Sequence, residues 1–87
     1  MSEKSILEEA SEIIKGDRRE AYGPVEQSFK ESAAIWSVVL KTPVTPQQVA
    51  LCMIGLKLQR EANSAKRDNR TDLLGYTLLL DQLYADT

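Results

Sequence analysis

Two almost uninterrupted apolar segments set the strongest limit on how this chain can fold. The segment VALCMIGLKL occupies residues 49–58, and LLGYTLLL occupies residues 73–80. Each covers at least two helical turns without a polar face, which is typical of a helix buried on several sides. A chain of 87 residues can build only a modest core around them. We therefore expect part of both helices to contact another subunit, in a homodimer or a higher homo-oligomer.

Start and stop signals predict a single all-α domain over residues 1–87, a four-helix bundle-like arrangement without strands. Ser5 and Glu8 form a capping box, in which each side chain bonds the other residue's amide, and they open the first helix. Gly16 is a natural stop for it. Pro24 fits the first turn of the second helix.

The second half of the chain carries equally clear helix signals. Thr45 is a predicted cap, Pro46 fits the first helical position and Gln48 completes a second capping box. The third helix is expected to end at residue 61 or 62, and the fourth to begin at residue 68 or 69.

Three residues inside these helices invite packing predictions. Cys52, among aliphatic residues, is expected to be a small buried hydrophobe. Gly55 and Gly75 each weaken a helix by about 1 kcal/mol relative to alanine. We expect both to allow another helix to approach closely.

Composition excludes several functional classes. The chain has no histidine, which leaves carboxylates as the only good ligands for a hard metal ion. Its single cysteine cannot form an intrachain disulfide and suits a reducing cytoplasm. No apolar run reaches the roughly 20 residues of a membrane span, and the first residues do not resemble a signal peptide. The net charge of −2, with both signs interspersed, does not suggest a surface for DNA or RNA.

The end of the third helix, GLKLQREAN, brings cations into an apolar segment. Lys57, Arg60 and Glu61 are spaced i, i+3, i+4 and point to one side of the helix. They could be a solvent-exposed stripe with one internal ion pair. They could also be two cations that bind a phosphate, with a carboxylate beside them.

The segment KRDNRTDLLGY offers a second candidate site. Asp68, Asp72 and Tyr76 lie on one face of a helix that starts by residue 68, next to Lys66. Two aspartates at i, i+4 repel each other unless a cation lies between them, and Mg²⁺ typically takes one or two carboxylates and substrate phosphates. The alternative is that Asp68 caps the helix and that Asp72 interacts favourably with the helix dipole.

A third candidate precedes the second helix. Arg18, Arg19 and Tyr22 lie just before a predicted helix start, where backbone amides favour anions and Arg matches phosphate geometry. The alternative is a surface loop in which Tyr22 is a packing anchor.

Together these segments resemble a known group of proteins. The patterns R-x-x-Y-G from Arg19, T-P-x-Q-V-A-L-x-M-I-x-L-K-L-x-R-E from Thr45 and K-x-D-N-x-x-D-x-x-G-Y from Lys66 cover much of residues 18–83. They resemble small phage and prophage domains of unknown function, close to the nucleotide modification associated domain. The resemblance implies a phage or bacterial setting and a link to nucleotides.

A more distant likeness is to the MazG-like all-α nucleotide pyrophosphohydrolases, and it implies MazG-like helical packing. Their motifs E-E-x-x-E and E-x-x-D bind Mg²⁺. In this chain the first motif falls on Arg60, Glu61 and Ser64, and the second on Asn69 and Asp72. Only Glu61 and Asp72 keep the carboxylate, with Asp68 as an additional acid.

Three functional hypotheses follow. In the first, the domain binds a nucleotide or another phosphate ligand with little or no turnover. In the second, it is a Mg²⁺-dependent pyrophosphohydrolase with a degraded acidic site. In the third, the charged residues form a buried salt-bridge network in a structural or adaptor oligomer. The predicted phosphate-binding residues are Arg19, Tyr22, Lys57, Arg60, Lys66 and Tyr76, and the predicted metal ligands are Glu61, Asp68 and Asp72.

Overall fold

The computed structural model describes residues 5–15 and 25–85, and their regular secondary structure is entirely helical. Helix α1 spans Ile6–Lys15, α2 spans Val25–Leu40, α3 spans Pro46–Asn63 and α4 spans Arg67–Ala85. For this part of the chain, the prediction of an all-α fold with four helices and no strands is confirmed. The predictions for Gly16 and Pro24 fall outside the described residues.

Both predicted capping boxes form. The Glu8 amide donates to Ser5 Oγ at 3.1 Å, and the Ser5 amide donates to Glu8 Oε1 at 3.4 Å. In the second box, the Gln48 amide donates to Thr45 Oγ1 at 3.1 Å and the Thr45 amide donates to Gln48 Oε1 at 2.9 Å. These local bonds satisfy amides that have no partner within a helix, so they fix where α1 and α3 begin.

The end of α2 is closed by a left-handed residue. Lys41 has φ = 57°, and the Thr42 amide donates to the Ser37 carbonyl at 3.2 Å. This six-to-one bond is the Schellman pattern of helix ends. The Ser37 hydroxyl accepts a hydrogen bond from the Val44 amide at 2.9 Å, which keeps the short connection to α3 folded against α2.

Helix α4 is the central element of the described fold. It packs most extensively against α3, then against α1, and also touches α2. The most buried side chains around it form a cluster of Ala50, Leu79 and Leu83. The rings of Phe29 and Tyr76 pack beside this cluster with their centroids 5.9 Å apart.

Helix α3 is less enclosed than its sequence predicts. Its inner face is buried at Val49 and Ala50, but Leu51 and Leu58 are 49% and 55% exposed. The prediction that Cys52 is buried is wrong, since the side chain lies on the exposed face. A helix that is apolar on all sides gives no pattern that tells the inner face from the outer one. None of the helices in the described residues is long and apolar enough to cross a membrane.

Gly75 lies where α1 approaches α4. A Cβ atom built on Gly75 would lie 3.8 Å from the Ala10 carbonyl oxygen, an ordinary van der Waals distance. Helix α1 therefore approaches closely, but it leaves room for one methyl group.

We predict that Gly75→Ala stabilises the protein, because alanine favours the helix by about 1 kcal/mol and meets no clash. Urea denaturation of the variant and the wild type should show a higher midpoint for Gly75→Ala. A lower midpoint would mean that α1 packs more tightly on α4 than the structure indicates.

Candidate functional site

The end of α3 and the first half of α4 hold the charged residues that the sequence singles out. Lys57 Nζ lies 2.9 Å from Asp72 Oδ2, and the two side chains are only 14% and 15% exposed. The pair bridges the contact surface of α3 and α4. Each predicted ligand residue thus has its charge opposed by the other, and neither charge faces open solvent.

The Glu61 carboxylate makes the second set of polar contacts in this region. Its Oε1 atom accepts hydrogen bonds from the Lys66 amide at 2.8 Å and from Asn69 Nδ2 at 3.2 Å. Its Oε2 atom forms an ion pair with the Arg70 guanidinium. One carboxylate on α3 therefore holds the turn that starts α4.

These contacts change the acidity of Glu61. The hydrogen bond from the Lys66 amide is the largest cause that lowers the pKa of this carboxyl below its ordinary value of 4.5. Partial burial opposes the change, and the Arg70 and Asn69 contacts reinforce it. Because hydrogen bonds to the charged form favour that form, Glu61 is held ionised.

Two further residues of this region make contacts that the sequence pattern does not indicate. Asn69 is 8% exposed, and its Nδ2 atom also donates to the Ser64 carbonyl at 3.3 Å. Arg70 was not singled out at all, although it supplies the partner of Glu61. The spacing between residues 61 and 70 crosses a turn, so helical periodicity gives no signal for this pair.

The remaining predicted site residues differ in their exposure to solvent, and two of them fall outside the described residues. Arg60, Lys66 and Asp68 are exposed, and their charged groups make no hydrogen bond or ion pair with the described part of the chain. Tyr76 packs its ring against Phe29 and lies partly buried beside the core. Arg19 and Tyr22 fall outside the described residues.

The three predicted metal ligands are not brought together. Asp72 is paired with Lys57, Glu61 is paired with Arg70, and Asp68 is an exposed side chain. In the described ranges, no group of three or more Asp, Glu, Cys or His residues could hold a metal ion. In this arrangement internal cations already engage Asp72 and Glu61, and the Mg²⁺ site expected from the sequence stays a prediction.

A further ion pair ties α1 to this region. The Arg67 guanidinium binds the Glu9 carboxylate, with Nε at 3.1 Å from Oε2. Arg67 is the first residue of α4. Three helices therefore meet at the start of α4, and side chains from all three carry charge there.

The geometry defines a small all-helical domain with interlocked ion pairs at its α3–α4 turn. The model of a family described as a domain of unknown function, DUF6378, matches residues 5–84. The chain belongs to this family. The expected resemblance to small phage domains of unknown function is confirmed, because its curated relatives are phage proteins.

Two such relatives come from mycobacterial phages. The chain is 37% identical to the Gene 55 protein of Mycobacterium phage D29 over 87 residues, which covers 99% of this chain and 57% of that protein. It is 35% identical to the Gene 55 protein of Mycobacterium phage L5 over 81 residues, which covers 91% of this chain and 52% of that protein. The chain thus spans about half the length of the curated relatives it matches. No solved structure matches it significantly.

The Lys57–Asp72 pair generates the first prediction for this region. Asp72→Asn keeps the shape of the side chain but leaves the Lys57 ammonium without a counter-charge in a largely buried position. We expect a loss of about 1–3 kcal/mol in the free energy of unfolding, the usual cost of an unsatisfied buried polar group. Asp81→Asn, at an exposed position of the same helix, is the matched control and should change stability by less than about 0.5 kcal/mol. Equal stability of the two variants would contradict a structural role for the pair.

The lowered pKa of Glu61 generates a prediction on pH. A carboxyl whose folded-state pKa is lowered stabilises the protein above its unfolded pKa, and that stability is lost as the pH falls through the folded value. Wild type should therefore be more stable than Glu61→Gln at neutral pH, and the difference should vanish in acid. Urea denaturation across this pH range measures it, with Glu31→Gln on the exposed side of α2 as the control. A difference that does not change with pH would overturn the assignment.

Proposed function

We propose that the domain binds the phosphate groups of a nucleotide at the α3–α4 turn, with little or no turnover. The observation behind this is the local charge balance. Residues 57–72 contain five Lys or Arg against three Asp or Glu, whereas the whole chain has eleven against thirteen. A locally basic segment of an acidic chain attracts an anionic ligand more strongly than the other parts of the molecule do.

The exposed cations belong to residues that adjoin Glu61 in the chain or contact it. The Glu61 carboxylate contacts both the Lys66 amide and the Arg70 guanidinium, and Arg60 precedes Glu61 in the helix. Arg70 is half exposed and uses Nη1 toward Glu61, which leaves further donors of its guanidinium for an incoming oxygen. Charge-assisted hydrogen bonds from Arg and Lys are the usual means of holding a phosphate.

The other predicted ligand residues have a supporting role in this proposal. Lys57 binds Asp72, and Tyr76 packs on Phe29, so both position α4 relative to α3. The predictions for Arg19 and Tyr22 remain open. The domain would act in the cytoplasm of an infected bacterial cell, the compartment that its single cysteine suits.

Pyrophosphohydrolase activity is less well supported by this arrangement. A metal-dependent reaction would need Asp72 and Glu61 to leave their partners Lys57 and Arg70 before either could bind Mg²⁺.

A second candidate, a structural or adaptor oligomer without a ligand, is favoured by the largely buried Lys57–Asp72 pair. Buried charges must be paired, and such a pair needs no ligand to explain it.

The test is a thermal-shift panel of nucleosides and of their mono-, di- and triphosphates, each with and without Mg²⁺. We expect a rise in the melting temperature with phosphate number, no dependence on Mg²⁺ and no release of pyrophosphate. A ligand that binds only the folded state stabilises it by mass action. Inorganic tripolyphosphate in the same panel separates recognition of phosphate from recognition of the base.

Calorimetric titration of matched variants then assigns the residues. Arg60→Ala and Lys66→Ala should each weaken binding by about 1.5 kcal/mol, the lower end for hydrogen bonds to charged groups. Lys30→Ala, at an exposed position of α2, removes the same charge elsewhere and should have no effect. Asp68→Ala should leave affinity unchanged or raise it. Rapid pyrophosphate release lost in Asp68→Ala would favour the enzyme, and a panel without any shift would favour the adaptor.

A further inference from the structure

The outward face of α3 carries no charge. At about 100° per residue, the positions within roughly 60° of Gly55 form one continuous strip along the helix. All of them are exposed, and none is ionisable at neutral pH: Gln48, Leu51, Cys52, Gly55, Leu58, Gln59 and Ala62. An exposed helix face of this length normally carries charged side chains, so the strip is typical of a protein contact surface.

Gly55 lies at the centre of this strip, and nothing in the described chain requires a glycine there. A Cβ atom built on Gly55 meets no atom within 4 Å. Glycine weakens a helix interior, so its presence needs a packing reason. At Gly75 helix α1 lies opposite and leaves room for one methyl group, whereas at Gly55 the space lies outside the protein surface.

We propose that this strip is the docking site for a second copy of the chain, with the two α3 helices crossing antiparallel at Gly55. This proposal is independent of the phosphate site. In a two-fold arrangement the contact surface must complement itself. Leu51 lies four residues before Gly55 and Leu58 three residues after it, on the same side of the strip. An antiparallel partner therefore brings Leu51 of one copy against Leu58 of the other, twice.

Charge and area both fit this occupant. Because the strip carries no charged side chain, a second copy can cover it without burying an unpaired charge on either side. The short connection at residues 41–45 keeps the end of α2 next to the start of α3, and Ile35, Val38 and Val39 there are 61–77% exposed. At about 100 Å² for each large aliphatic side chain, these residues with Leu40, Leu51 and Leu58 offer on the order of 600 Å² of exposed apolar surface per copy. A standard interface buries about 800 Å² per partner, so the remaining strip residues complete it.

Sedimentation velocity at micromolar concentration tests the proposal with Gly55→Ala, a variant that should stabilise the monomer and weaken the dimer. Gly55→Ala favours the helix and should raise the thermal stability of the dilute monomer. At the crossing point its methyl group should weaken dimerisation at least tenfold. Gly75→Ala is the matched control and should leave dimerisation unchanged. A wild type that stays monomeric, or a Gly55→Ala variant that dimerises as tightly as wild type, would overturn the proposal.

Disulfide trapping tests the antiparallel arrangement. In a Cys52→Ser background, Leu51→Cys with Leu58→Cys should give a covalent dimer on oxidation, whereas either cysteine alone should not. The two sites are about 10 Å apart along one helix, too far for a bond within a single chain. Trapping by Leu51→Cys alone would indicate parallel helices and would contradict the proposed crossing.

Discussion

The contact between α3 and α4 is the constraint on which the rest of this fold depends. At one end it is apolar, with Ala50 packed against Leu79 and Leu83. Toward the turn it becomes electrostatic, through the Lys57–Asp72 pair and the Glu61 contacts. The apolar end supplies most of the stabilisation, since burial of aliphatic surface is the dominant favourable term in folding. The charged end adds direction, because Lys57 and Glu61 of α3 each have one ionic partner on α4, and a shift of α4 along α3 would break both pairs.

Local signals explain why the helices could be predicted from the sequence. The capping boxes at Ser5 and Thr45 involve residues three positions apart, so they can be recognised without knowledge of the fold. Orientation could not be predicted as well. Cys52 was expected to be buried because every neighbour of it is apolar, and only the position of α4 decides which side of α3 faces inward. Amphipathic patterns carry orientation, and the outer half of α3 lacks one.

The pairing of the charged residues at the candidate site could not be predicted from the sequence. Lys57 of α3 pairs with Asp72 of α4, and Glu61 of α3 pairs with Arg70 of α4. Their partners are set across the turn, where a residue of α3 meets residues of α4 with no fixed spacing. Periodicity relates residues within one helix only. That is why two aspartates at i, i+4 suggested a shared cation, whereas Asp72 has a lysine and Asp68 faces solvent.

The pairing has a consequence for how such a domain could bind a nucleotide. Carboxylates that are bound to internal cations are less available to a metal ion, and the Lys57 ammonium, which is bound to Asp72, contributes little to an external phosphate. What is left at the turn is a modest excess of exposed positive charge around Arg60 and Lys66. An excess of this kind attracts phosphate but does not orient it for attack, because orientation requires several fixed donors at one point. In the proposed phosphate site, the charged end of α3 would therefore support binding rather than chemistry, while its uncharged outer face would remain available for the proposed second copy.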